Sequence, residues 1–445
     1  MNDPASAGVR ADLEAIFAEA VAAADAADAV RRELVGAGRH RAIAGHALDA
    51  DVRIVLLAIG KAAAPMAAAF VEWAGDALLE GLVITKEGHG EAARGIRGIR
   101  VLETAHPVPD ARCVAAARDV LTLVEQADPT DLLCVLLSGG ASSLAACPVE
   151  QIELGDLGDS TRLLLKAGAD IVELNTVRKH LAELAGGKLA RRAAAHHIQV
   201  LVVSDVPGDR LDVIGSGPWV GDPTTFADAV RVMRDRGVWD EVPDRVRRLL
   251  ESGVRGETPE TPKPGEAVLE RVRSRIIASN RDALEAARDA AVHRGWKVRV
   301  VSSLAGEARE AARALVALAR EAFPIAPVLL LAGGETVVTV CGEGRGGRNQ
   351  ELALAAALEM SPDVPMSLLA AGTDGSDGPT DAAGAFVDTA TVSHAASLGL
   401  DARRSLDDND AYGFFSVEGG LFRTGPTGTN VMDLALLYVG ELSQP

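Results

Sequence analysis

The sequence predicts an α/β protein of two domains, with a doubly wound parallel sheet in the N-terminal domain. At 445 residues, the chain is too long for one hydrophobic core, and two domains of roughly 200 residues each are expected. Apolar residues make up 48% of the chain and aromatic residues only 3%, so Ala, Val, Leu and Ile must build a core of helices packed on sheets. Short apolar runs alternate with helical segments, which is the pattern of βαβ units.

Strand-like runs define the N-terminal domain. They occupy 53–59, 81–85, 100–103, 132–137 and 199–204. Between residues 251 and 267, prolines, glycines and charges remove any periodic apolar face, which predicts a linker. We therefore expect the N-terminal domain to span 1–250 and a C-terminal α/β domain to span 268–445.

The pattern restarts beyond the predicted linker. Further strand-like runs occupy 274–278, 297–301, 328–332, 336–340, 367–371 and 421–424. Helical segments rich in alanine separate several of them, so the second domain is also expected to be α/β, with a partly mixed sheet. In open α/β sheets, ligands bind at the loops that follow the carboxyl ends of strands, and these loops are where a site is expected.

The charge of the chain limits its partners. A formal net charge of -18 argues against nucleic acid and anionic membranes as partners, and an anionic substrate would need a local basic pocket. The four cysteines have no CxxC spacing, which fits a reduced cytoplasm and argues against a zinc site. The first helical stretch, 11–35, is amphipathic and does not resemble a signal peptide, and no apolar run is long enough to cross a membrane. We expect a cytoplasmic protein.

Two polar loops follow strong strands in the first half. Lys61 follows the first strand and could neutralise charge on a transferring phosphoryl group, although it could equally be a surface lysine. Ala62 replaces the Ser or Thr of a P-loop, so a P-loop NTPase is excluded. The second loop could bind an anion through its main-chain N–H groups or could be a tight turn with hydroxyl caps; its residues are Ser138, Gly139, Gly140, Ala141, Ser142 and Ser143.

Carboxylates follow other strands. Asp374 and Asp377 could hold Mg²⁺ directly or through water, or could form Asx turns and helix caps. Asp205 has the same two interpretations and could also act as a general base. The remaining polar loops at strand ends contain Asn280, Gly333, Gly334 and Glu335.

Residues 342–347 contain a literal GxGxxG. Dinucleotide fingerprints open the first βαβ unit of a domain and keep charged side chains out of the loop, whereas Arg345 lies inside this one and Arg348 directly follows it. We therefore discount a dinucleotide site. Guanidinium groups favour phosphate or carboxylate recognition instead.

Many short blocks of the chain match one family. The chain resembles the class II glycerate 2-kinases, which have often been labelled hydroxypyruvate reductases, and the similarity spans nearly the whole sequence. The matching blocks are GKAAAPM from Gly60, TAHPVPD from Thr104, LLSGGASSL from Leu136, LNTVRKHL from Leu174, SDVPGD from Ser204, GGETVVTV from Gly333, GRGGRNQELAL from Gly344, GTDGSDGPTDAAG from Gly372 and TGPTGTN from Thr424.

The resemblance implies a fold and an activity. It implies a Rossmann-like N-terminal domain, a smaller C-terminal domain of the MOFRL type, and ATP-dependent phosphorylation of the 2-hydroxyl of D-glycerate with Mg²⁺ bridging phosphates. Lys61 and Arg348 are then catalytic, with Asp205 as a further candidate. The expected partners are glycerate and ATP, with a homodimer as the candidate assembly. The expected binding residues are Ser138, Gly139, Gly140, Ser142, Ser143, Asn280, Gly333, Gly334, Glu335, Asn349 and Asp374, and the expected metal ligands are Asp374 and Asp377.

Two alternatives remain open. One is an NAD(P)H-linked hydroxypyruvate reductase, and the other is a metabolite-binding regulator that has lost catalysis. The chain also departs from the family pattern at Gly217-Pro218-Trp219, where relatives carry GPT followed by a proline. Arg178, Lys179 and Lys188 could add positive potential to a site or could form a solvated helix face.

Overall fold

The computed structural model describes residues 4–301 and 303–440. Contacts within the chain define two compact units. We call Ala26–Ile277 the N-terminal unit, and Met1–Asp25 together with Ala278–Pro445 the C-terminal unit. No helix in the described part of the chain is both long and apolar enough to cross a membrane.

The N-terminal unit contains nine helices and nine strands within the described residues. Helices are numbered from the start of the chain, so α1 is Pro4–Ala23, which belongs to the C-terminal unit. The helices of the N-terminal unit are α2 Ala26–Arg32, α3 Ala63–Ala74, α4 Ala111–Gln126, α5 Ala141–Leu144, α6 Leu154–Lys166, α7 Ile171–Leu181, α8 Lys188–Arg192, α9 Phe226–Asp235 and α10 Asp244–Val254. The strands are β1 Leu34–Val35, β2 Ala42–Ile43, β3 His46–Ala47, β4 Ile54–Ile59, β5 Leu78–Lys86, β6 Ile99–Thr104, β7 Leu132–Leu137, β8 His197–Val203 and β9 Val272–Ala278, the last ending at the boundary with the other unit.

The main sheet of this unit has the strand order β6-β5-β4-β7-β8-β9, and the four pairings from β6 to β8 are parallel. Numbered within the sheet, this is the 3-2-1-4-5-6 order of a doubly wound Rossmann sheet. Every residue of β4 and β7 is buried. Because successive side chains of a strand point to opposite faces, both faces of the sheet centre must be covered. The expected doubly wound fold is confirmed.

The C-terminal unit carries a six-stranded mixed sheet. Its helices besides α1 are α11 Asn280–His293, α12 Ala308–Ala322, α13 Arg348–Glu359, α14 Thr391–Ser397, α15 Ala402–Asp407 and α16 Ala411–Glu418. Its strands are β10 Lys297–Val300, β11 Val328–Gly334, β12 Met366–Gly372, β13 Gly384–Asp388, β14 Leu421–Phe422 and β15 Asp433–Val439. The order is β10-β11-β15-β12-β13-β14, with β10 and β11 parallel and the other pairs antiparallel. The expected mixed sheet is confirmed.

Helices cover both faces of this second sheet. Residues of α12 and α13 share a buried cluster with Leu330, Leu368 and Leu437. The alternate side chains of the same strands point to the other face, where α1 and α11 contact the sheet. The sheet is therefore also buried on both sides.

The contact-defined units differ from the expected domain bounds. Helix α1 belongs with the C-terminal unit. Strand β9, which was expected to open the second domain, joins the N-terminal sheet, where the Ile198 N–H donates to the Arg271 carbonyl at 3.1 Å. The predicted linker begins inside α10, and its later part is bound to the same unit, since the Asp222 N–H donates to the Pro262 carbonyl at 2.8 Å.

One predicted strand is wrong. Residues 336–340 form no strand and contribute only an isolated bridge between Val337 and Glu307. Two strands of the C-terminal sheet, β13 and β15, were not predicted. The second of these lies at the centre of the sheet, between β11 and β12.

Candidate active site

The strand order of the N-terminal sheet reverses between β4 and β7. At such a switch point the loops after the two strands diverge and leave a crevice, which is where doubly wound sheets bind ligands. Lys61 lies two residues after β4, and the Ser138–Ser143 loop follows β7 directly. Two of the loops expected from the sequence are therefore placed side by side at the edge of the sheet.

The two loops are hydrogen bonded to each other. The Lys61 N–H donates to the Gly139 carbonyl at 2.9 Å, and the Ala62 N–H donates to Ser138 Oγ at 3.0 Å. Gly60 has a φ of +139°, and a Cβ there would lie 2.1 Å from Ser138 Oγ. Only glycine permits this approach, so the Gly60-Lys61 pair and Ser138 are fixed in one arrangement.

The loop after β7 has unused donors. Its backbone turns at Gly140, which has a φ of +88°. Within the described part of the chain, no acceptor is bonded to the N–H groups of residues 139–142 or to the hydroxyls of Ser142 and Ser143. This fits the predicted anion-binding loop better than a turn closed by hydroxyl caps.

Two more side chains lie at the same edge. Asp205 follows β8, the parallel neighbour of β7. His106 follows β6, and a Cβ on Gly140 would lie 3.0 Å from its ring, so this imidazole contacts the β7 loop. The chain contains nine histidines, and no pattern around His106 distinguished it from the others.

Arg348 begins α13 and is held by carboxylates. Its Nε and Nη2 bind the two oxygens of Asp433 at 2.5 and 2.9 Å, and its Nη1 lies 2.6 Å from Glu335. Burial opposes the charge of Arg348, but the hydrogen bond and charge of Asp433 outweigh it and raise the pKa of the guanidinium. Asp433 is only 1% exposed, and the sequence analysis did not identify it.

Asn280 and the two glycines expected to bind substrate have packing roles. The Asn280 amide donates to the carbonyls of Val431 and Asp433 at 2.7 and 3.1 Å. A Cβ on Gly333 would lie 1.9 Å from Asn280 Oδ1, and one on Gly334 would lie 2.3 Å from the Leu304 carbonyl. These residues set the close approach of α11 and the loop before α12 to β11.

Asp377 caps helix α13. Its carboxylate accepts hydrogen bonds from the N–H groups of Asn349 and Gln350 at 3.1 and 2.9 Å, and from both of their side-chain amides at 3.2 and 3.0 Å. Burial raises its pKa to about 6. We expected Asp377 and Asn349 to bind metal and substrate, but both are engaged at the start of this helix.

Asp374 lies in a different setting. Its Oδ1 accepts hydrogen bonds from the Ser376 N–H and hydroxyl, both at 2.9 Å, which is an Asx turn. Across the described residues, no group of three or more His, Cys, Asp or Glu side chains is placed to hold a metal ion. The chain alone therefore offers only part of a coordination sphere.

The GxGxxG stretch is packed against another loop. A Cβ on Gly342 would lie 2.3 Å from the Asp408 carbonyl oxygen, and one on Gly344 would lie 2.4 Å from Asp410 Cβ. The glycines serve this approach and belong to the C-terminal unit. The first βα turn of the Rossmann sheet reads Gly60-Lys61-Ala62, which lacks the fingerprint.

Two of the three basic residues around α7 are buried and engaged. Lys179 Nζ lies 3.3 Å from Asp222 and 3.5 Å from Asp212. Lys188 donates to the Ala182 carbonyl at 2.7 Å, and burial lowers its pKa to about 8. Neither lies on a solvated helix face.

Comparisons with known proteins agree with this architecture. The family model described as "Domain of unknown function (DUF4147)" matches residues 12–251, and that of the MOFRL family matches 328–433. The chain is 39% identical over 431 residues to the glycerate 2-kinase of Pyrococcus horikoshii, covering 95% of this chain and 96% of the relative. This chain belongs to the glycerate 2-kinase family.

Two further relatives support the assignment to the glycerate 2-kinase family. The D-glycerate 2-kinase of Thermotoga maritima is 42% identical over 390 residues, covering 86% of this chain and 90% of the relative. A crystal structure of glycerate kinase from the same organism matches with a TM-score of 0.82 at 38% identity, over 97% of this chain and 100% of that one.

The departure from the family pattern at Gly217-Pro218-Trp219 is partly buried in the core. Trp219 is 2% exposed and belongs to the main cluster of the N-terminal unit. Gly217 has a φ of +64°, and a Cβ there would lie 2.9 Å from the Asp212 carbonyl. The tryptophan therefore fills the core, and Pro218 alone of the three lines a cavity.

Proposed function

We propose that this protein transfers the γ-phosphoryl group of ATP to the 2-hydroxyl of D-glycerate, giving 2-phospho-D-glycerate. The observation that carries the proposal is its identity of 39% and 42%, over most of the chain, to proteins named as glycerate 2-kinases. The protein is an ATP-dependent kinase with small-molecule substrates. The 2-position and the D-configuration follow from the names of these relatives.

The N-terminal unit offers the groups that phosphoryl transfer needs. The reaction depends mainly on positioning and on stabilising negative charge at the moving group. Lys61 supplies a positive charge at the switch point, and the loop after β7 supplies N–H donors. The 2-hydroxyl oxygen bonds to the γ-phosphorus as the bond to ADP breaks, and Asp205 is our candidate to accept the hydroxyl proton.

The C-terminal unit contributes Arg348 in an acidic setting. Glu335 and Asp433 more than balance its charge, and Asp374 lies near Asp433, since a Cβ on Gly372 would be 3.4 and 3.5 Å from oxygens of the two. These carboxylates repel a polyphosphate, so its binding beside them is favourable only when a cation binds with it. Mg²⁺ keeps water and phosphate oxygens as ligands and needs only one or two carboxylates, so Asp374 fits it as a protein ligand. Bound there, Mg²⁺ would supply charge neutralisation of the phosphates.

A reductase is the main alternative, because a relative in Agrobacterium vitis at 39% identity is named a putative hydroxypyruvate reductase. Dinucleotide binding at a Rossmann sheet uses a glycine-rich turn after the first strand. That turn is Gly60-Lys61-Ala62 here, so alanine stands where the second glycine of the fingerprint would let the backbone approach a pyrophosphate. The kinase is therefore favoured over the reductase.

One purified preparation tests the proposal against both alternatives. It is offered D-glycerate with ATP and Mg²⁺, with ADP release and the phosphorylated product measured, and separately hydroxypyruvate with NADH. We expect ADP and 2-phosphoglycerate in equal amounts and no NADH oxidation. Lys61→Ala protein purified in parallel controls for host kinases. NADH oxidation without ADP release would establish the reductase, and neither reaction would favour the regulator.

We also expect the protein to work in the cytoplasm.

A homodimer stays a prediction. Light scattering coupled to gel filtration measures the molar mass in solution. A mass near twice 46.1 kDa is the expected result, and a mass near 46.1 kDa would contradict it.

A further inference from the structure

A cavity of about 510 Å³ lies within the N-terminal unit. Ile59 and Leu137, the last residues of β4 and β7, line it, so it opens at the switch point of the sheet. Helices α5, α6 and α7 form its other walls, together with residues 107–109, Gly215, Ser216 and Pro218. Its size is that of a small-molecule site.

The walls of the cavity are mostly apolar. Leu157 and Leu165 come from α6, and Leu184 and Leu189 from the chain around α8. Polar side chains also contribute to the lining, namely Ser142 and Ser143 from α5, Thr161 and Arg162 from α6, Arg178 from α7, and Ser216. Such a combination suits a ligand with one apolar face and one polar or charged end.

Arg178 carries a charge that the protein does not balance. It lies in the last turn of α7 and is partly buried. Its guanidinium has no ion pair or hydrogen bond to any residue that the structure describes, whereas its neighbour Lys179 lies beside two carboxylates. Burial without a counter-charge lowers its pKa. A cation kept in an apolar cavity without a partner is costly, and an anionic ligand would remove that cost.

We propose that this cavity is the nucleotide subsite, in which the apolar walls hold the adenine base and Arg178 pairs with a phosphate group. The inference rests on the proposed kinase function and says which unit binds the nucleotide and through which residue. D-glycerate is small and polar on all sides, so it would leave the apolar walls in contact with water. A nucleoside phosphate has both parts that the cavity requires.

Two glycines on α6 give a matched test of the apolar wall. Gly158 lines the cavity and Gly155 does not, and a Cβ on either meets no atom within 4 Å. Leucine at either position is compatible with the helix, because its helix propensity is higher than that of glycine. Gly158→Leu is expected to weaken binding of both ADP and adenosine by about tenfold or more, and Gly155→Leu is expected to leave both unchanged.

A second pair of variants tests the charge. Arg178→Met removes an unbalanced cation, so the fold is expected to hold. Arg231→Met, at an exposed position of α9, is its control. By titration calorimetry, Arg178→Met should weaken ADP binding by about tenfold or more. Adenosine binding should not change, because adenosine has no phosphate.

The same preparations are titrated with D-glycerate and assayed for ATP-dependent phosphorylation. Unchanged D-glycerate affinity in both cavity variants is expected. If D-glycerate binding falls while ADP binding is unchanged, the cavity takes the acceptor and the inference is overturned. If the wild type is an active kinase and both cavity variants bind ADP and D-glycerate with wild-type affinity, only the inference fails. If the wild type neither transfers phosphate nor binds ADP, the proposed function and the inference fail together.

Discussion

Lys61 and Arg348 have different electrostatic surroundings. Lys61 is partly exposed at the switch point, with its backbone fixed by Gly139. Arg348 is bound on three donors by Asp433 and Glu335. The lysine side chain is partly exposed, whereas the arginine is ion-paired with the buried carboxylate of Asp433. Their variants are therefore expected to behave differently.

Lys61→Ala is expected to lower turnover by about a hundredfold or more, since positioned cations contribute up to ~10³ or more in phosphoryl transfer. The KM for ATP should change much less, because a group that acts mainly in the transition state shows its loss in kcat. Steady-state kinetics of ADP release measures both. Lys297→Ala, on the edge strand β10, is the control. Near-normal turnover of the Lys61 variant would remove the lysine from the mechanism.

Arg348→Ala is expected to lose stability as well as turnover. It leaves the Asp433 carboxylate buried without its partner, which typically costs about 3 kcal/mol or more. Arg348→Lys should recover part of both, since a lysine restores the charge but cannot bind both oxygens of Asp433. Thermal unfolding and initial rates are compared with those of Arg313→Ala on α12. A stable Arg348→Ala protein with full activity would contradict both roles.

Substitutions of Asp374 and Asp377 are expected to have different effects on the Mg²⁺ dependence of the activity. Asp374→Asn should raise the Mg²⁺ concentration needed for half-maximal activity. Asp377→Asn should leave that concentration unchanged and lower the free energy of unfolding by about 1–3 kcal/mol, because an amide N–H₂ would face the donors at the start of α13. Magnesium titrations and denaturant unfolding distinguish them. A change in magnesium dependence only in the Asp377 variant would show that Asp377, and not Asp374, helps to bind the metal.

The sequence located the site loops better than it assigned their residues. Lys61 and the loop from Ser138 were predicted at strand ends, and they do lie together, because all carboxyl ends of parallel strands meet at one edge of a sheet. Asn280 and Asp377 were also at strand ends, but their partners are 151 and 27 or 28 residues away in the chain. Contacts at such separations leave no local pattern. Asp433 was missed because β15 was not predicted.

At the level of elements, the buried parallel strands were the most predictable part. Apolar runs at 53–59 and 132–137 agree with β4 and β7 to within one residue. The run at 336–340 contains three valines and two threonines, which favour strands, but Val337 and Val340 are exposed. Strand β9 shows another limit, because its sequence predicts a strand but does not say which sheet it joins. Propensity fixes the local conformation only where burial agrees with it.

The predicted linker contains an anchored segment around Glu260. Its Oε1 accepts from the Phe226 N–H at 3.0 Å at the start of α9, and its Oε2 lies 3.0 Å from Lys263 Nζ and 3.4 Å from His180 on α7. Partial burial raises the pKa of Glu260, but the neighbouring His180 and the hydrogen bonds from Phe226 and Lys263 outweigh it and lower the pKa to about 2. Proline and glycine content therefore did not distinguish a linker from a bound loop.

Glu260→Gln is expected to lower the melting temperature at pH 7, and the size of this decrease is expected to depend on pH. A carboxyl whose folded pKa is depressed stabilises the fold above its unfolded pKa, here 4.5, and that contribution is lost as the pH falls towards the folded value. The difference in melting temperature between variant and wild type should stay constant from pH 7 to about 4.5 and decrease below that pH. Glu257→Gln, in the same segment, is the control. A constant gap down to pH 3.5 would contradict the assigned interactions.

At the scale of the whole molecule, the C-terminal unit is discontinuous in sequence. Helix α1 contributes Leu13, Ile16 and Phe17 to its core, each at most 1% exposed. The rings of Phe17 and Phe422 meet edge to face at 5.3 Å, and the Thr429 hydroxyl donates to the Ala24 carbonyl at 2.5 Å. Helix α1 therefore belongs to the fold of the last third of the chain.

This discontinuity predicts how fragments of the chain will fold. A protein of residues 26–277 contains its sheet except for Ala278, the last residue of β9, and is expected to unfold cooperatively on its own. A protein of residues 278–445 lacks α1, and exposing each of the three large side chains that it buries costs about 1.5–3 kcal/mol, a large part of the stability of a small domain. That fragment should be unstable, and adding a peptide of residues 4–25 should raise its melting temperature, whereas a peptide with Ile16 and Phe17 changed to Ser should not. Circular dichroism during heating measures each case. If residues 278–445 melted cooperatively and the native peptide had no effect, α1 would be dispensable and the division of the chain into 1–250 and 268–445 would describe its folding better.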